Sequence, residues 1–138
     1  MKASVAILLL VSLSACASTH SVSPAIASST SFSGAQTVEV NLSSFDFTPS
    51  EIHFKAGVPY TLHIVNEASG GHDFTAPDFF GAARVAPDDV AQVKNGQIEL
   101  KGGATATVHL VPAAGTYDLI CTHTGHALLG MKGKIVVS

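Results

Sequence analysis

From Thr37 onward the chain alternates apolar and polar residues in short stretches, and a period of two calls for strands rather than helices. Val38, Val40 and Leu42 alternate with polar neighbours, Ile52 and Phe54 with Glu51, His53 and Lys55, and Leu62 and Ile64 with Thr61 and His63. Turn residues separate the stretches: Ala56-Gly57-Val58-Pro59 after the second, Asn66 after the third. The pattern resumes at Ile98 and Leu100, then in Thr105 to Val111, Tyr117 to Ile120 and Ile135 to Val137. Seven such stretches with Gly and Pro between them predict an all-β fold, a two-sheet antiparallel sandwich.

Residues 77–96 break the rhythm. Phe79, Phe80, Ala83 and Val85 are irregularly spaced, and Pro87-Asp88-Asp89 is a helix-opening signal ahead of Val90 and Val93. This stretch reads as an excursion between strands with one or two helical turns. There is no internal repeat and no sign of a second domain.

The N-terminus reads as an address. Residues 1–15 carry one early lysine, an apolar run and then small residues, as a secretory signal does. No apolar run reaches the roughly 18 residues of a membrane-spanning helix. Leu13-Ser14-Ala15-Cys16 resembles a bacterial lipobox, which would make Cys16 a lipidated first residue; ordinary cleavage after Ala17 or Ala27 is the alternative. Residues 16–36, rich in Ser and Thr, read as a flexible tether, whether it has a role of its own or is a mere spacer. The folded domain is then 37–138. One lipid-modified end would hold it at a membrane face in the cell envelope or periplasm, with no other membrane contact.

Charge excludes one large class of partner. Ten acidic against seven basic side chains, scattered, leave no basic stripe for nucleic acid. Only 12% of residues are charged and 46% are hydrophobic, so a packed core is within reach. A monomer is expected.

If Cys16 is lipidated, Cys121 is the one thiol left in an oxidising compartment, and a lone thiol there needs protection or a task. The loop Cys121-Thr-His123-Thr-Gly-His126-Ala-Leu-Leu-Gly-Met131 sets a thiol, an imidazole and a thioether at intervals of five between two predicted strands. His72, in Gly70-Gly71-His72-Asp73-Phe74, can supply a second imidazole. Two histidines, one thiolate and a weak axial thioether form the trigonal donor set of a blue copper centre. The other histidines fall away by parity: His53, His63 and His109 occupy polar phases of their strands, and His20 lies in the tether.

The span from Tyr117 to Cys121, with Gly125-His126, Gly130-Met131-Lys-Gly133 and Val136, resembles the C-terminal signature of cupredoxins, the plastocyanin and azurin family. Phe47-Thr-Pro49, Ile52, Gly57 and Asn66 resemble that family's first strands, so the similarity covers roughly residues 38–138. The resemblance implies a Greek-key sandwich of about seven to eight strands. It also implies one copper, as Cu(I) or Cu(II), on His72, Cys121, His126 and Met131. It implies a one-electron carrier, with redox partners docking on an apolar patch at His126, Ala127, Leu128 and Leu129; core packing is the other use for those apolar residues.

Two residues depart from the family. Asp73 stands where cupredoxins often have Asn or Ser, and an ionised carboxylate there lowers the potential unless it is turned outward or hydrogen-bonded. His123 is an additional imidazole inside the loop: a solvent-facing residue, a surface ligand, or part of a different metal site with His126. A copper-handling protein, chaperone or store, would need the same ligands. Catalysis is not expected. Multicopper oxidases need His-x-His pairs, which this chain lacks, and nothing supports Cys121 as a hydrolase nucleophile.

Overall fold

The computed structural model describes residues 23–138, and the signal, Cys16 and the first part of the tether lie outside the described residues. The strands are β1 (Ala25–Ile26), β2 (Gln36–Ser43), β3 (Asp46–Thr48), β4 (Glu51–Phe54), β5 (Tyr60–Asn66) and β6 (His72–Thr75). Helix α1 (Pro77–Ala82) follows, then β7 (Arg84–Val85), a 3-10 turn over Val90–Gln92, β8 (Gln97–Leu100), β9 (Thr105–Val111), β10 (Gly115–Ile120) and β11 (Lys132–Val137). One sheet runs β1-β7-β9-β5-β2-β3 and the other β4-β11-β10-β6-β8. Both sheets mix parallel and antiparallel pairs.

The sandwich follows from the alternation. In β5 the residues Tyr60, Leu62 and Ile64 are buried while Thr61, His63 and Val65 are only half-buried, and β4 buries Ile52 and Phe54. These inward rows of both sheets meet in one core with Val40, Leu42, Val108, Leu110, Leu119 and Ile135.

Among the described residues eleven strands stand where about seven to eight are expected, because four carry no alternating signal. Strand β6 buries His72, Asp73 and Phe74 in succession, so no period of two exists there to be read. Strands β1, β3 and β7 are only two or three residues long. The excursion is also differently built. Its α-helix starts at Pro77, a residue preorganised for a first helical turn, while the segment after Pro87 makes only the 3-10 turn. Phe79 lies at the centre of an aromatic group, 5.7 Å from Phe54, 5.3 Å from Phe80 and 5.6 Å from Tyr117 between ring centroids.

Within the stretch read as a tether, Ala25–Ile26 pair in parallel with Arg84–Val85. Ala27 is buried and its amide donates to the Val85 carbonyl at 2.9 Å. Short edge strand β7 offers free backbone groups, and β1 satisfies them despite its polar surroundings.

Topology brings the loops that matter to one end. β10 is antiparallel to both β11 and β6, so the 121–131 loop and the start of β6 share that end. Leu42 lies level with Asn66, which places the β2–β3 turn there too. β1 joins β7 beside Leu110 and Val111, at the opposite end. Phe79→Ala should cost about 3–5 kcal/mol by loss of buried area plus a cavity. Urea unfolding should show this as a lower midpoint with an unchanged slope.

Candidate metal centre

Two strand ends and one loop deliver the donors. Ile120 faces Lys132 in the β10–β11 ladder, and the ladder goes one step further: the Cys121 amide donates to the Met131 carbonyl at 3.2 Å. Between them the loop coils tightly. His126 donates to the His123 carbonyl, and the Leu129 and Met131 amides donate back to the His126 carbonyl at 3.1 and 3.0 Å. His126 is thereby pinned at its backbone from both sides, above Cys121 and Met131, which are both fully buried.

His72 arrives from the other side, and its approach is fixed by Asn66. That buried side-chain amide donates to the carbonyls of Gly70, Leu100 and Lys101, and its oxygen accepts from the Ala68 amide. The turn so closed leaves no room at Gly102, where a Cβ would stand 2.1 Å from the Ser69 carbonyl oxygen.

His72 Nδ1, His126 Nδ1 and Cys121 Sγ form a triangle with edges of 3.1, 3.4 and 3.8 Å. Its centre lies about 2.0 Å from every corner, which matches the ~2.0–2.1 Å of a metal–imidazole bond and falls a little short of the ~2.3 Å of a metal–thiolate bond. Three lone-pair donors that converge so closely suit a cation better than one another. Neutral imidazoles present at most a single proton between facing nitrogens. The donor set is soft, with no oxygen, and fits copper.

The surroundings keep both imidazole and thiol uncharged. Burial pushes the His72 pKa down, and the neighbouring His126 and His123 push it further the same way. Burial pushes the Cys121 thiol up, although the backbone amides of Asp73 and His123 point at its sulfur and pull it back.

Asp73 is the carboxylate that sets this arrangement. It is wholly buried, and its oxygens accept from the Thr122 amide at 3.0 Å, the Thr122 hydroxyl at 2.7 Å and the Thr75 hydroxyl at 2.6 Å. Thr122 also receives a bond from Gln97 Nε2 at 2.9 Å. Of the two orientations open to Asp73, the structure has the hydrogen-bonded one. Residue types alone gave no sign of Thr75, Gln97 or Thr122. Their signal is the pairing of β6 with β10 and β8, which the unpatterned β6 concealed.

His123 stands beside the donor triangle, not in it. Its Nε2 is 2.9 Å from Glu99 Oε1 and 3.9 Å from Asp73 Oδ2. The remaining histidines are elsewhere: His63 bonds Thr107 at 3.0 Å, His109 bonds Asp89 at 2.8 Å, and exposed His53 meets Glu51. On the surface side, Leu128 and Leu129 are 91% and 63% exposed, and the Phe45 ring stands edge-on to His126 at 5.1 Å.

A family model described as a cupredoxin-like domain matches residues 5–137. Auracyanin-B of Chloroflexus aurantiacus is 31% identical over 124 residues, 75% of this chain and 53% of that protein, so the chain spans about half the length of the curated relative it matches. A solved structure of auracyanin B superposes with a TM-score of 0.56 at 25% identity, covering 85% of this chain and 99% of the other. McoA multicopper oxidase from Aquifex aeolicus gives a TM-score of 0.60 at 14% identity over 79% of this chain and 30% of its own, a likeness of fold alone.

Asp73→Ala should strip buried donors of their acceptor and cost about 1–3 kcal/mol. Asp73→Asn should cost less, because the Thr75 and Thr122 hydroxyls can turn to accept; thermal unfolding of the two variants gives the comparison. The metal-free protein should also have two pH limits. An unfolded histidine takes up its proton near pH 6.5 while folded His72 stays neutral, so stability falls as pH drops below that value. An unfolded thiol loses its proton near pH 9.0 while folded Cys121 keeps it, so stability falls again above that value. Chemical unfolding across this range, with His72→Phe and Cys121→Ser as controls, should flatten the acid and the alkaline limb respectively.

Proposed function

The chain belongs to the cupredoxin-like domain family, and on that premise we propose that it is a blue copper protein, a one-electron carrier of the bacterial cell envelope. The observation that carries this reading is the nearly equilateral triangle of His72 Nδ1, His126 Nδ1 and Cys121 Sγ. The auracyanin likeness supports it, since auracyanin A of Chloroflexus aurantiacus is a "blue" copper protein.

Copper held there supplies a Cu(I)/Cu(II) couple that exchanges one electron. The protein's own residues do the rest. Cys121 contributes a soft thiolate, and His72 and His126 contribute neutral imidazoles acceptable to both oxidation states. Met131, whose backbone is bonded to Cys121 and whose side chain is buried, would supply the weak thioether ligand. The β10–β11 ladder and the Asp73–Thr122 bonds would hold one donor geometry for both oxidation states, so that little rearrangement would accompany electron exchange. The buried Asp73 charge favours the oxidised ion, tempered by the four hydrogen-bond contacts it accepts.

His126 is the half-exposed donor, and its imidazole is the electron's exit. The exposed Leu128 and Leu129 that follow it in the loop, with half-buried Ala127, offer apolar surface that suits a redox partner protein. Folded residues 37–138, a tether joined to the sheet at β1, and lipidation at Cys16 complete the reading. Because β1 enters at the end opposite the donors, an anchor there leaves the His126 face free. The same ligands serve copper handling, and His123 at the edge of the site is the observation that favours this second reading.

Titrating the metal-free protein with Cu(II) should give one copper per chain and an intense thiolate-to-copper visible band, abolished in Cys121→Ser. A colourless complex, or equal binding without Cys121, would overturn the proposal. Met131→Gln offers a harder oxygen that favours Cu(II), so the potential measured by redox titration should fall.

A further inference from the structure

Beside the donor triangle lies an open cleft of about 410 Å³. The small residues 68–71 form one wall, Ser44 and Phe45 another, and His72, His123 and His126 line it together. A buried metal centre needs a way in, and this cleft leads from solvent to its imidazoles.

His123 is set there in the manner of a metal-binding histidine. A ligating imidazole usually donates its other N–H to a carboxylate, which fixes the tautomer and the ring. The Glu99 carboxylate does this at Nε2, at 2.9 Å, which leaves Nδ1 with its lone pair. Gly71 makes room for the ring: a Cβ there would stand 3.1 Å from His123 Cε1 and 3.4 Å from Glu99 Oε1. The pair is half-exposed, with side chains 32% and 55% accessible. Asp73 cannot turn to join it, since both its oxygens are already occupied by Thr75 and Thr122.

Ring separations say which histidines can share an ion. With bonds of ~2.0 Å, two imidazoles on one ion have centroids about 5 Å apart when set at an angle and about 6.3 Å apart in line. His123 and His126 are 5.3 Å apart, and His126 and His72 are 4.9 Å apart. His123 and His72, at 6.3 Å, stand at the in-line limit, outside the range of two ligands set at an angle. His126 is therefore common to two possible pairs, and the pairs are consecutive along the cleft.

We infer that His123, braced by Glu99, is a loading ligand that catches a copper ion at the mouth of the cleft with His126 and passes it inward to His72 and Cys121. The inference rests on the copper-site reading above. The transfer is an exchange of ligands with no change of oxidation state: the His123 bond breaks, bonds to His72 Nδ1 and Cys121 Sγ form, and the thiol proton leaves to solvent.

Stopped-flow mixing of the metal-free protein with Cu(II) tests it, with the visible sulfur band as the signal. In His123→Ala the final band and the stoichiometry of one copper should match the natural chain, while the band should grow about tenfold more slowly or worse, the scale on which metal-site partners act. Glu99→Gln, which keeps the imidazole but loosens it, should slow loading to a smaller extent. Freeze-quenched electron paramagnetic resonance should catch, in the natural chain alone, an early copper signal that precedes the sulfur band. An unchanged rate in His123→Ala, or a second copper held permanently at His123, would overturn the inference while the blue copper reading stands. Failure of the natural chain to form the band at all would remove both.

Discussion

The site depends first on one buried carboxylate. Asp73 belongs to β6 and Thr122 follows β10, and the bonds from the Thr122 amide and hydroxyl to Asp73 are what join those two elements beyond their single paired position, Ile120 with Thr75. The residues next to this pair in sequence are His72 and Cys121. A carboxylate accepting charge-assisted bonds in a dry interior is a stiff link, so two donors from distant parts of the chain are held at a fixed separation by their immediate neighbours. Asn66 does the same for the approach to His72, with three carbonyls tied to one side-chain amide. Polar groups of this kind are costly when unsatisfied. Among the described residues, every buried side-chain nitrogen and oxygen has a partner.

The apolar layers supply the other half of the constraint. Phe74 follows directly on Asp73 and packs on Phe47 and Phe80, with centroids 6.1 and 6.0 Å away. The base of β6 is therefore clamped by aromatic contacts while its first residue carries a ligand. Rigidity at the site is inherited from the core, because the carboxylate, the ligand and the aromatic ring are consecutive residues of one short strand.

This is also why the sequence was legible in some places and opaque in others. Strands with one wet face, such as β5 and β9, announce themselves by alternation. The loop from Cys121 to Met131 announces itself by chemistry, since the donor types are rare and closely spaced. Strand β6 is buried on every side near the donors, so the residue types that make it functional erase the periodicity that would reveal it. Strand β1 is invisible for the opposite reason. Two residues in a Ser-rich stretch bury little, and they are ordered by the free edge of β7, a partner nearly 60 positions away that no local pattern encodes. His123 was ambiguous in sequence because its role depends on Glu99, a residue of β8 that arrives only through the pairing of β6 with β8.

On the proposed reading, a carrier and a container make different demands on one copper site, and different residues would meet them. Electron exchange needs an unvarying donor geometry, which the Asp73–Thr122 link and the Cys121–Met131 step of the ladder provide. Metal exchange needs an open path, which residues 68–71 provide by having little or no side chain over the cleft. The two demands meet only at His126. Its backbone is held by the coiled loop, while its imidazole is shared between the buried triangle and the half-exposed His123. Leu128 and Leu129, two and three residues further along the loop, are exposed.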